Sequence, residues 1–308
     1  MQERMIVDTA EDFLAAVAAR PFPRCYPATA KAAFLVAPDG FQLATESAQD
    51  NRYMAMDKRI DSDRARAQHA ELVRRLSTSL PTFAFPGDPD CPDGLFPNNA
   101  HATTNGRLIV GRMCHRVRQR EAERHDIHEF FQSVLGYEIV DLSKQDFVAE
   151  LTGALVIDRA RGIGYCGLSD RCDRAGAEAM HDAFGLDLTF CFDLAQGEYH
   201  TNVVLAVLAG RAAIIAPDGF ADADVPKAIT AVYRNQSLLL DEKQKSAYAA
   251  NAITLDDSRV WMSDTAVASL STGDHDLLGT WGFTVETVAI DEIEKAGGSL
   301  RCCVAEIF

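Results

Sequence analysis

The chain has 308 residues, 47% of them apolar and 24% charged, which is enough to bury one large core or two smaller ones. Its net charge of −15 excludes a general basic surface for nucleic acid or an anionic membrane, but leaves room for a local basic pocket that holds a small acid. No run approaches the roughly 18 consecutive apolar residues of a membrane span, and the N-terminal MQERMIVDTAEDFLAAV carries acids inside its apolar stretch, so no signal peptide is expected.

In chain order, TAEDFLAAVAA (9–19) predicts a short helix with Thr9 as N-cap, part of an N-terminal helical extension over residues 1–30. AAFLVAPDGF (32–41) reads as a buried strand and turn, and residues 60–78 as a charged amphipathic helix. Residues 81–101 hold five of the chain's eleven prolines and read as a long irregular segment, a form that is often functional. Thereafter a pattern recurs. GRLIVGRM (106–113) is a strand, followed by a helix over 116–135. GALVIDRARGIGYCGLS (153–169) is a strand, turn and strand, with a helix after it. NVVLAVLAGRAAIIAP (202–217) repeats that form before another helix. SRVWMS (258–263) and LRCCVAEIF (300–308) are further strands, with DHDLLGTWG helical between them. The recurrence suggests a repeated ββαβ unit. By period alone a doubly wound α/β domain is equally admissible.

The eight cysteines lack the paired spacing of zinc sites, and a chain of this size needs no disulfide staples, so free thiols in a cytoplasmic setting are expected. Cys302 and Cys303 are adjacent in a predicted strand, where alternate side chains face opposite ways, so at most one of them points into a given site. The preceding AGGS permits positive φ and close approach of the backbone. His200, at the start of a buried strand, is the histidine best placed for chemistry. His101 follows the proline-rich segment and is a second candidate. His125 and His128, spaced i to i+3, read as a solvated helix face more readily than as a metal pair. Glu150 is an acid at the start of another buried strand.

Five motifs in order then resemble the guanidino-group-modifying (pentein) superfamily over about residues 32–308. They are FPNNAHAT, AELTGALVID, GLSDRCD, YHTNVVLAV and GGSLRCCVAEIF. That superfamily includes arginine deiminase, dimethylarginine hydrolase, amidinotransferases and the deiminase-related citrulline and arginine dihydrolases. The resemblance implies a five-bladed α/β propeller of pseudo-fivefold ββαβ units, forming a single catalytic domain over 31–308. It places the nucleophile on Cys302, the acid/base histidine on His200 and its partner acid on Glu150. Substrate contacts fall on Phe96, Asn98, Asn99 and Asn202, with a carboxylate-reading arginine at Arg171 and a second at Arg118, or at Arg116 or Arg120 of the same arginine-rich stretch. It implies no metal or organic cofactor, a small amino acid as partner, and admits a homo-oligomer.

Asn99 and Asn202 stand where deiminases carry aspartates. A carboxylate only accepts hydrogen bonds and suits a guanidinium, whereas an amide both donates and accepts and suits a neutral ureido group. The resemblance therefore implies hydrolysis of a citrulline- or arginine-like head group through a cysteine adduct, with ornithine as product. A plain arginine deiminase, an amidinotransferase and a non-catalytic binding protein of the same fold are the competing readings. Leu151, where a glycine is usual, and Ala37, where an arginine is usual, depart from the pattern.

Overall fold

The computed structural model describes residues 4–20, 27–234 and 236–308. Among the described residues, sixteen strands form five sheets. β1 (Met5–Val7) precedes the helix Ala10–Ala19, whose N-terminus is capped by Thr9 as expected. Phe13 of that helix stacks on Phe190 at 4.5 Å. β2 (Ala32–Val36) is wholly buried and pairs in parallel with β3 (Thr82–Phe85) across the helix Ser62–Leu76. The proline-rich segment is thus not irregular throughout, because its first residues are an edge strand.

β4 (His101–Thr104) and β5 (Arg107–Val110) form a hairpin turned by Asn105 and Gly106, both at positive φ. β6 (Glu138–Asp141) joins β5 in parallel. The connection was expected as one helix over 116–135. It is instead a series of short turns, broken where Arg124 leaves helical geometry at ψ 87°. Tertiary contacts outweigh helix propensity here: Arg118 donates to the carbonyl of Phe96 and Arg124 to that of Pro86, while each also pairs locally, with Glu121 and Asp126.

The same hairpin, crossover helix and parallel third strand recur three times more. β7 (Leu155–Asp158) and β8 (Ile163–Leu168) are followed by the helix Arg174–Phe184 and β9 (Leu188–Asp193), beside which β1 adds a fourth, parallel strand. β10 (Leu205–Leu208), β11 (Ala212–Ile215) and β12 (Ser237–Leu239) enclose the helix Asp224–Tyr233. The next sheet is β13 (Ile253–Thr254), β14 (Arg259–Ser263) and β15 (Thr284–Val288). β16 (Ala305–Ile307) pairs antiparallel with β2, so the end of the chain completes the sheet that its start began. First strands of different sheets touch, β16 with β4, β7 with β10 and β10 with β13.

Three local expectations need correction. LRCCVAEIF is a strand only from Ala305, and Leu300–Cys303 is a 3₁₀ turn. GALVID and NVVLAV likewise begin as single helical turns, Leu151–Ala154 and Thr201–Val204. Apolar runs hid these turns, since all their residues but Arg301 are buried and periodicity cannot separate a buried turn from a buried strand. Leu151 starts its turn at φ +21°, a conformation that glycine holds without strain.

Candidate active site

Each sheet's first strand is preceded by a turn or loop that brings polar side chains to one place. Pro97–Asn99 leads into β4, Glu150 and His200 each start the helical turn before β7 and β10, Asn251 precedes β13, and Cys302 lies in the turn before β16. Their contacts link the sheets. His200 Nε2 is 2.8 Å from Glu150 Oε2. Asn202 Nδ2 donates to the carbonyl of Thr152, and Thr152 Oγ1 donates to that of Asn98. Asn251 Nδ2 donates to Cys302 Sγ at 3.3 Å and to the Asn202 carbonyl at 2.9 Å. Cys302 Sγ in turn lies 3.8 Å from Asn202 Oδ1. Gly153 is obligatory for this convergence, because a Cβ there would sit 2.5 Å from Asn99 Oδ1 and 2.7 Å from His200 Cε1.

The catalytic candidates are dry. Glu150 and His200 are fully buried and Cys302 is 1% exposed. Burial alone would raise the Glu150 pKa, but Arg171, His200 and Arg118 outweigh it and hold the carboxyl well below its ordinary value. Burial lowers the His200 pKa against the pull of Glu150, so the imidazole is neutral at pH 7. With Nε2 committed to Glu150, the unpartnered Nδ1 is the nitrogen left for proton transfer. Burial also raises the Cys302 thiol, opposed by the Ser299 backbone and by Asn251. The resting sulfur is a thiol, and a positive charge brought close to it would favour the thiolate.

A small cavity opens on Cys302. Phe96, Asn99, Arg118 and Arg171 line it, as does Asp93, which no sequence pattern singled out. Asp93 is 3% exposed and accepts from Ser47 Oγ at 2.5 Å. Both arginines already face carboxylates. Arg118 is bidentate on Glu121, and Arg171 places Nε and Nη2 on Asp50 at 2.5 and 2.7 Å and Nη1 on Glu150 at 3.2 Å. Asp50 belongs to a loop whose Asn51 donates to the Gly297 carbonyl. Gly297, at φ +78°, leaves no room for a Cβ beneath that amide.

The structure therefore gathers Cys302, His200, Glu150, Asn99, Asn202, Phe96, Arg171 and Arg118 around one site. Asn98 is buried next to it, with its side-chain amide off the cavity wall. His101 is not part of the site: it faces His128 at 3.4 Å, and among the described residues no group of three or more side chains is arranged to hold a metal. Cys303 points elsewhere, its thiol donating to the Ser299 carbonyl. The two cysteines diverge because successive residues of a 3₁₀ turn differ by about 120°, not because a strand alternates. Sequence reasoning missed Ser47, Asp50, Asn51, Asp93 and Asn251. Asn251 had a usable signal, since it precedes a first strand as His200 does, but that strand is only two residues long.

Residues 37–308 match the family described as "N,N dimethylarginine dimethylhydrolase, eukaryotic". The chain belongs to this family. No curated protein sequence is significantly similar to it. Among solved structures, ArgZ, an arginine dihydrolase from the ornithine-ammonia cycle in Cyanobacteria, matches 90% of this chain at 19% identity with a TM-score of 0.78. AgrE matches 90% at 21% identity, also with a TM-score of 0.78. A dimethylarginine dimethylaminohydrolase matches 90% at 21% identity with a TM-score of 0.69. The chain spans 40% of ArgZ and 39% of AgrE, but all of the dimethylaminohydrolase chain. At these identities the likeness is one of fold, the mixed α/β architecture of this superfamily.

Proposed function

We propose that the chain is a cysteine-dependent hydrolase of the ureido or guanidino group of a citrulline- or arginine-like amino acid, working at the centre of a five-bladed α/β propeller over residues 31–308. One observation carries the reading. Cys302 is flanked by an amide donor, Asn251 Nδ2, and an amide acceptor, Asn202 Oδ1, against a buried Glu150–His200 pair. A planar head group that offers both a carbonyl and an NH₂ is complemented by that arrangement. Five sheets whose first strands touch, and the fold of the neighbours, support the propeller.

In the reaction, the Cys302 proton passes to His200 Nδ1 and the sulfur attacks the central carbon, the positive charge of a guanidinium head group favouring the thiolate in the first round. His200 Nδ1 protonates the departing ammonia, then takes a proton from the water that opens the adduct. Glu150 holds the imidazole. Asp93 pairs with the α-ammonium, and Arg171 reads the α-carboxylate once Asp50 yields. Arginine taken through two rounds consumes two waters and gives ornithine, two ammonia and carbon dioxide. Citrulline enters at the second round.

The family match favours a second reading, in which dimethylarginine loses dimethylamine and citrulline is the product. Arginine, citrulline and dimethylarginine, each incubated with the enzyme and assayed for ornithine, ammonia and dimethylamine, separate the two. Ornithine from citrulline supports the first reading; dimethylamine without ornithine replaces it with the second; no product from any of the three overturns both.

A further inference from the structure

Among the described residues, Arg159 is a cation without a counter-ion. Its guanidinium lies over the ring of Phe308 at 4.1 Å and that of Phe184 at 5.4 Å, and it makes no hydrogen bond or ion pair with any described residue. Stacking holds the plane of a guanidinium and leaves its five in-plane N–H donors free. The nearby carboxylate, Glu306, is spent on Arg301 at 2.9 Å. Burial lowers the Arg159 pKa only to about 10, so it remains charged at neutral pH. Arg159 is half-buried, whereas the buried Arg118 and Arg171 are both ion-paired.

Two cavities meet at this side chain. One is lined by Arg159, Arg301 and Glu306 together with Thr152 and Asn202. The other is lined by Arg159, both stacking phenylalanines, Thr104 and Asn105. Neither shares a lining residue with the cavity at Cys302, and the first is separated from it by Asn202 and Thr152, which stand between the two.

We propose that Arg159 is the anchor of a second binding site, distinct from the substrate cavity, for a small oxyanion: a phosphate or carboxylate group. The paired N–H edges of a stacked guanidinium match the two oxygens of such a group, and the aromatic floor fixes their direction. The site does not depend on the reaction proposed above.

The test uses the full chain carrying Cys302→Ser and saturated with arginine, so that the substrate cavity is filled. Inorganic phosphate and succinate are titrated by calorimetry at constant ionic strength. At least one is expected to bind saturably, and whichever binds more tightly names the group. Arg159→Met, which keeps an apolar stem on the rings, is expected to weaken that binding about tenfold or more; Arg159→Lys, a milder change, is expected to retain part of it. Unchanged binding in Arg159→Met, binding only when arginine is omitted, or no saturable binding of either anion overturns the proposal.

Discussion

Asn251 Nδ2 donates to Cys302 Sγ at 3.3 Å, the one side-chain hydrogen bond that the sulfur receives among the described residues. A donor at that distance stabilises a thiolate more than a thiol. Asn251→Ala is therefore expected to lower kcat about tenfold and to move the pH dependence of Cys302 alkylation upward, since a hydrogen bond to a charged group contributes roughly 1.5–3 kcal/mol. Asn251→Asp should do more harm, because a second negative charge opposes the thiolate. An alkylation profile that does not move in Asn251→Ala would show that the contact has no chemical role.

The adjacent cysteines should separate cleanly. Cys302→Ser is expected to abolish turnover, and Cys303→Ser to leave most of it, because the Cys303 thiol faces the Ser299 carbonyl within the core. Steady-state kinetics and a thermal melt check this together. Equal loss of activity in two folded variants contradicts the assignment.

Asp50 is the carboxylate that Arg171 holds in the absence of substrate, and Arg171 with His115 keeps it below its ordinary pKa despite burial. If a substrate carboxylate must displace it, Asp50→Asn weakens the competitor. The expected result is a lower KM for arginine or citrulline with little change in kcat, and no such gain for agmatine, which lacks the carboxylate. A raised KM for all three would place Asp50 among the substrate's own contacts.

Much of the site was legible because its chemistry sits beside strong strand signals. Cys302, His200 and Glu150 each stand at the start of a long apolar run. The repeated hairpins and crossover helices were also readable, from turn glycines and amphipathic stretches. The loop residues Ser47, Asp50 and Asn51 were not, because their partners Asp93, Arg171 and Gly297 lie 46, 121 and 246 residues away, and no local pattern encodes such pairings. The strand assigned to Leu300–Cys303 failed for a related reason. Its burial comes from neighbouring sheets, and burial alone does not set φ and ψ.

Two buried histidines predict acid sensitivity. His69 and His101 are 4% and 1% exposed, and burial lowers their pKa values to about 4 and about 3. Below the unfolded value of about 6.5 the unfolded chain binds protons that the native state refuses, so stability rises with pH from there and is lost as pH falls toward 4. At pH 5 the cost is about 2 kcal/mol for each histidine. Urea midpoints at pH 7 and pH 5 test this. A midpoint unchanged between them would mean that these imidazoles are accessible to protons in the native state.

The central claim, that Cys302 carries the head group as a covalent adduct, is tested most directly by intact-protein and peptide mass spectrometry of enzyme quenched during turnover of arginine and of citrulline. The account predicts an added mass equal to substrate minus ammonia, mapped to Cys302 and absent from Cys302→Ser. An adduct on Cys303, or sustained turnover by Cys302→Ser, would contradict it.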